Sequence, residues 1–276
     1  MTALTIPLTE PRARFRDLVS AEWFKLWSLR STGWSLFLCT LVVVAFNVGQ
    51  AWDRARYWTA LDRASQRGYV AGDMALWDAF TGNATMVLML SAAAMGAMAI
   101  VGEYSSGSVR TTFAAVPARR SVMVAKVLVV GTVLTGFGAV AAGVSFWVTQ
   151  AILSTHGIGL SIAHPGALRL VAASALLAPV SGLVGMALGT LLRAGAPAIV
   201  ASVVLLLLVP AVVSERRHWS AVLAHLQPQR AWRRLGQTGD WDVPFPWTAG
   251  GAWLVYGIWA LVAAVVAVLA VGRRDQ

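Results

Sequence analysis

A chain of 276 residues that is 58% hydrophobic and only 12% charged, with a mean hydropathy of +0.67, is not a water-soluble domain, in which about a quarter of residues are charged. Its net charge of +10 would point to nucleic acid in a soluble protein. Among apolar runs near 20 residues long it excludes that partner and marks basic loops that orient spans and meet anionic membrane lipid. The single cysteine, Cys39, lies inside an apolar run, which rules out a disulfide framework and a thiolate metal site.

The first element is predicted over residues 12–32. Phe15, Leu18, Val19, Trp23, Leu26 and Trp27 recur at three-to-four spacing with charged residues between them, the pattern of an amphipathic helix lying in the headgroup region. No small-x-small cleavage site follows, so the first apolar run reads as an uncleaved span. Six spans are predicted, at about 34–52, 81–101, 121–147, 167–192, 197–213 and 250–271. Trp34 and Trp52 bracket the first as interface anchors. Ser121 is the expected N-cap of the third, and Pro179 should kink the fourth. Small pairs four residues apart, Ala92 with Gly96, Ala139 with Gly143 and Gly185 with Gly189, mark faces where helices of this chain or of a second copy can approach closely in lipid.

The connections are less apolar. Residues 53–80 balance four arginines with four aspartates and add Tyr57, Trp58, Tyr69 and Trp77; they are expected to lie on the membrane surface, with Asp73 and Asp78 solvated. His156 and His164 read as surface histidines, because no third ligand accompanies them. Residues 214–248 are polar but carry an apolar stripe of Trp219, Val222, Leu223, Leu226, Trp232 and Leu235, broken by Pro228. They are expected to form two short helices on or dipping into the membrane face. The only two lysines, Lys25 and Lys126, read as codon bias toward arginine.

Six spans put both termini on one side. With the N-terminus inside, residues 1–33, 102–126, 190–197 and 272–276 hold 12 Lys and Arg against five acids, and the other side 10 against seven. Cytoplasmic termini are therefore expected, in a multi-pass protein of a bacterial plasma membrane. The bias is moderate because 214–248 alone carries five arginines. The same count places a polar island, residues 102–126, in the cytoplasm. Glu103 is the only acid between Asp78 and Glu215. A short helix is expected from about Ser106 to Ala115, with Ser105 or Ser106 as N-cap and Pro117 beyond its end. Val109, Thr112, Phe113 and Val116 would share its apolar face. Glu103 would cap that helix or pair with Arg110, and a soluble partner pushing there would move two spans at once.

No P-loop, G-x-S-x-G or H-E-x-x-H motif is present, and no carboxylates cluster at membrane depth. Energy for uphill transport would therefore come from another chain. The island, E-Y-S-S-G-S-V-R-T-T-F-A-A-V-P-A-R-R followed by V-M-V-A-K, resembles the loop between spans 2 and 3 of bacterial ABC-transporter permeases of the type-2 export class. Residues 21–32, A-E-W-F-K-L-W-S-L-R-S-T, are similar to the opening of the same group. The resemblance implies an all-α integral membrane protein of six transmembrane helices, with an N-terminal interfacial helix and short outer re-entrant helices before span 6. It also implies two permease copies, identical or not, working with two P-loop ATPase subunits that bind ATP and Mg, so that this chain binds no cofactor itself. Carried over by position, Glu103, Gly107, Arg110, Thr111, Thr112 and Phe113 would lie at the ATPase contact, and Leu226 and Pro228 in an outer lid. Gln229-Arg230 departs from the small residues frequent after that proline. The apolar spans favour export of a hydrophobic or amphipathic small molecule, such as a drug, antibiotic or lipid-like compound. A scaffold or immunity subunit without transport and a membrane-embedded lipid-modifying enzyme stay open at this point.

Overall fold

The computed structural model describes residues 14–108, 112, 118–213, 218–238 and 245–273. Among the described residues every regular element is helical. Helix α1 is Phe15–Ser28, and one extended residue, Leu29, separates it from α2, Arg30–Tyr57. Two short helices follow, α3 at Arg63–Ala71 and α4 at Met74–Asp78. The long helices α5, Gly82–Ser106, α6, Arg119–Ser154, and α7, Ala167–Leu192, come next. Helix α8 is Gly195–Val212, α9 is His218–His225, α10 is Pro228–Gly236 and α11 is Ala249–Arg273. Six of these, α2, α5, α6, α7, α8 and α11, are long and apolar enough to cross a membrane.

Helix α7 is the axis of the bundle. It is apolar all round and buried along nearly its whole length, as expected of a helix enclosed by others. Helices α5, α6, α8, α10 and α11 pack around it, while α2 lies outside α5 and α6 and α1 crosses α6. The periphery is apolar: Phe37, Leu38 and Leu41 on α2 and Leu254 and Leu261 on α11 are exposed, a surface suited to lipid. Trp34, Trp52 and Trp147 are exposed as well, with Trp34 and Trp52 18 residues apart on α2, about 27 Å at 1.5 Å per residue and close to the thickness of a hydrocarbon core.

The close packing around α7 comes from residues without side chains. A Cβ on Gly96 would stand 1.8 Å from the Gly182 carbonyl oxygen, and one on Gly185 would stand 1.9 Å from that of Ala93. Ala92 is fully buried in the same seam, and Gly189 continues it against Ala97 and Ile100. The third predicted pair behaves differently. Ala139 is exposed and Gly143 has open space around its Cα; the close approach on α6 is made one residue earlier, where a Cβ on Gly138 would meet the Ala175 carbonyl at 2.0 Å. That carbonyl is the one Pro179 leaves without its helical donor, so the backbone of α6 is drawn to an acceptor that α7 cannot satisfy.

Several ends and loops differ from the sequence expectation. Helix α5 continues to Ser106, and the Ser105 and Ser106 hydroxyls donate back to the Gly102 carbonyl at 3.0 and 2.9 Å. Helix α6 starts at Arg119 after Ala118, so Ser121 lies in its first turn and is not the N-cap. Its 36 residues span about 54 Å, more than a bilayer core needs. Residues 53–80 are mostly helical, and Asp78 is buried, not solvated. Tyr69 Oη donates to it at 2.7 Å, Arg54 Nε at 3.2 Å and Gln50 Nε2 at 3.4 Å. Burial first, and then the Asp78 carboxylate, push the Tyr69 hydroxyl well above its ordinary pKa. Asn47 is buried between Thr81 and Ser145 with hydrogen bonds to both.

Candidate functional site

The most concentrated charge chemistry lies where α1, α5 and α6 meet. Glu22 and Lys25 stand three apart on one face of α1, Glu103 is one turn from the end of α5, and Lys126 is two turns into α6. Lys25 Nζ donates to Glu22 Oε1 at 3.1 Å and to Glu103 Oε1 at 2.6 Å. Lys126 Nζ donates to the same Glu103 oxygen at 2.9 Å and to Glu22 Oε2. Each ammonium therefore meets both carboxylates and each carboxylate meets both ammoniums. The ring is electrically neutral, which is what allows it to be buried: the Glu22 and Lys126 side chains are each 6% exposed and Glu103 is 14%, and a lone charge there would cost several kcal/mol. A lysine suits the position because a compact ammonium with three rotatable donors can reach two carboxylates that a planar guanidinium fork would address one at a time. Burial of Lys25 opposes its charge, but its hydrogen bond to Glu103 and the two nearby carboxylates outweigh it and raise its pKa above the ordinary lysine value.

The same end of the bundle gathers other groups. Gly107 closes α5 in the left-handed region at φ 72°, the conformation that favours glycine. Arg193 closes α7 at φ 53°, and its guanidinium lies 5.0 Å from the Tyr104 ring centre. Thr112 is half-buried. Arg110, Thr111 and Phe113 lie outside the described residues, as does most of the short helix expected from Ser106 to Ala115. Glu103 is engaged by Lys25 and Lys126; the expected cap of the short helix and the pairing with Arg110 involve residues outside those described.

At the opposite end of α5, Leu226 and Pro228 form the turn between α9 and α10. Trp259 Nε1 donates to the Leu226 carbonyl at 2.6 Å, and Pro228 is buried at the first turn of α10. Among the described residues no group of histidines, cysteines and carboxylates has the arrangement of a metal site; His164 Nε2 pairs instead with Asp73 at 2.9 Å.

The family model for ABC-2 family transporter proteins matches residues 27–275. The chain belongs to the ABC-2 transporter family. No curated protein matches it at a significant level. ABC-2 proteins of this kind are the membrane subunits of ABC transporters and work with a separate ABC ATPase; six apolar helices make this one a multi-pass membrane protein. The ABC-2 match includes Glu103 and Lys126 but begins at Trp27, after Glu22 and Lys25, so half of the ion-pair ring lies in the part of α1 that precedes the matched region. The lysines were the missed signal. Two in a chain with 22 basic residues look like codon bias in the sequence alone, yet both stand in one ring with two of the chain's four glutamates.

Proposed function

We propose that this chain is the permease subunit of an ATP-driven exporter, oriented with both termini in the cytoplasm, that moves a hydrophobic or amphipathic small molecule across a bacterial plasma membrane. A P-loop ATPase carrying ATP and Mg docks on the polar segment around 102–120, and a second permease copy completes the pathway. The observation that carries this reading is the buried ion-pair ring. It ties α1, α5 and α6 together immediately beside that segment, so a force applied there moves three helices as one body. This chain has no nucleotide-binding motif, so the partner supplies the ATPase site. A role in antibiotic resistance follows if the cargo is an antibiotic. The apolar helix surfaces favour such cargo over ions, which need ionisable groups at membrane depth.

The test is co-expression with a candidate ABC ATPase and purification through a tag on one subunit. Co-purification is expected, with ATP-dependent movement of cargo in vesicles. Arg110→Glu should weaken assembly or ATPase stimulation at least tenfold. An ATPase that never co-purifies, together with full stimulation in Arg110→Glu and Glu103→Arg, would sink the docking claim.

A further inference from the structure

Four spans each contribute one polar side chain to a single point inside the bundle. Asn47 of α2, Thr85 of α5, Ser145 of α6 and Ser174 of α7 line a hollow of about 10 Å³, room for one water molecule. All four are buried, none more than 5% exposed. The rest of the described wall is apolar, with Leu88, Leu177 and the rings of Phe80 and Trp232 among it.

These groups hold more donors than acceptors. Asn47 Nδ2 donates to Ser145 Oγ at 3.0 Å, while Asn47 Oδ1 already accepts from the Thr81 N–H and hydroxyl at 2.9 and 3.0 Å. Trp232 Nε1 donates to Ser174 Oγ at 2.9 Å. Both serines are acceptors in these bonds, and among the described residues their own hydroxyl hydrogens meet no acceptor. The second Asn47 amide hydrogen is in the same position. Thr85 Oγ1 gives its hydrogen to the Thr81 carbonyl at 2.9 Å and keeps lone pairs to accept with. A buried donor without an acceptor is costly and rare. One water molecule, which accepts and donates at once, removes that cost where a hollow is polar and large enough; this one is both.

Phe80 and Trp232 also line a larger cavity, about 500 Å³, between α4, the start of α5 and α10. The two rings therefore stand between that cavity and the hollow. Trp232 is the one α10 residue in the hollow's described wall, so a movement of α10 opens the hollow on that side alone. We propose that the hollow is a water-binding site at the junction of α2, α5, α6 and α7, and that its water exchanges with the larger cavity past Trp232. The water accepts from the serine hydroxyls and donates to Thr85 Oγ1. The Trp232–Ser174 hydrogen bond keeps the site closed. When α10 lifts, a water takes the place of the indole on Ser174, so opening leaves no buried hydroxyl without a partner.

Full-length protein in nanodiscs would be diluted into heavy-oxygen water and given a brief X-ray pulse after increasing delays. Radiolysis of a bound water oxidises the side chains beside it, and mass spectrometry reads the extent and the heavy-oxygen content at each residue. Leu88 and Leu177 are 4% and 0% exposed. They are expected to be oxidised well above Leu206, which is equally buried and outside the hollow's described wall, and to take up heavy oxygen more slowly than the exposed Trp147. Thr85→Val keeps the shape and removes an acceptor, so it should lower oxidation of both leucines. Trp232→Phe should speed heavy-oxygen uptake roughly fivefold, the factor carried by one neutral hydrogen bond, and leave the final content unchanged. Leu88 and Leu177 oxidised no more than Leu206 in the unmutated protein would overturn the site, independently of how any variant folds. A Thr85→Val protein oxidised as wild type is would overturn the role given to Thr85. A Trp232→Phe protein that melts and exchanges as wild type does would overturn the route past Trp232. None of these measurements uses an ATPase, so failure here leaves the exporter reading untouched.

Discussion

Gly138, Ala175 and Pro179 show how far single atoms decide the packing of this bundle. With 2.0 Å available to a Cβ, Gly138→Ala must push α6 away from the α7 backbone, which costs at least the roughly 1–3 kcal/mol of ordinary overpacking. Gly136, two residues away on the same helix, has open space around it, and Gly136→Ala should be neutral or slightly stabilising. Thermal melting of the two variants in one detergent checks the contrast; equal melting temperatures would contradict it. Gly96→Ala and Gly185→Ala should resemble Gly138→Ala, because each Cβ would also meet a backbone carbonyl. The sequence made Gly96, Gly185 and Gly189 visible as small-residue pairs, but it named Ala139 and Gly143 where Gly138 makes the contact. Spacing identifies a small face; it does not identify the carbonyl that a proline on another helix has exposed. These seams are filled within one chain, so a second copy would have to meet other surfaces.

At the scale of elements, α1 is held by charge as much as by its apolar face. Lys126→Met breaks pairs that are almost fully buried and leaves two carboxylates facing one ammonium, a loss of about 3–5 kcal/mol in such settings. Glu22→Gln combined with it should cost less than the two single changes added together, by roughly 0.5–3 kcal/mol, since both act on one network; a double-mutant cycle on unfolding would read this. The pH dependence has a defined sign. Lys25 has its folded pKa raised above the ordinary 10.5, so its contribution is complete below that value and is lost as pH rises through the higher folded value. A spin label on α1 should therefore report no change from pH 6 to 9 and loosening only above about pH 10.5; mobility that rises near neutral pH would show that Lys25 does not hold the helix. The number of long helices was legible from apolar runs alone, because nothing else in the sequence competes with 20 uninterrupted apolar residues. Their ends were not. Helix α5 runs on to Ser106 and α2 to Tyr57 because polar residues continue a helix readily once it has left the apolar layer, and hydropathy is blind there.

For the molecule as a whole, the ion-pair ring and the Leu226–Pro228 turn sit at opposite ends of one helix, α5. From Gly82 to Glu103 is 21 residues, about 32 Å of α5 at 1.5 Å per residue. The helix between them rests on α7 through small residues for much of its length. The polar island was legible as a place of interest, since its glutamate and basic residues interrupt apolar runs. The ring was not, because Glu22 and Lys126 are 104 residues apart and one sequence carries no record of that pairing. The ring also gives this protein an unusual chemical handle. Its two lysines are both in the ring, so apart from the terminal amine there is nothing else for an amine-selective reagent to acylate. Lys25 is 40% exposed and Lys126 is 6%. Brief treatment with an N-hydroxysuccinimide ester should modify Lys25 first, and Lys126 only at the rate at which the ring opens. The mass ratio of the two modified peptides would then serve as a clock for that opening, readable in the unmutated protein with and without its ATPase.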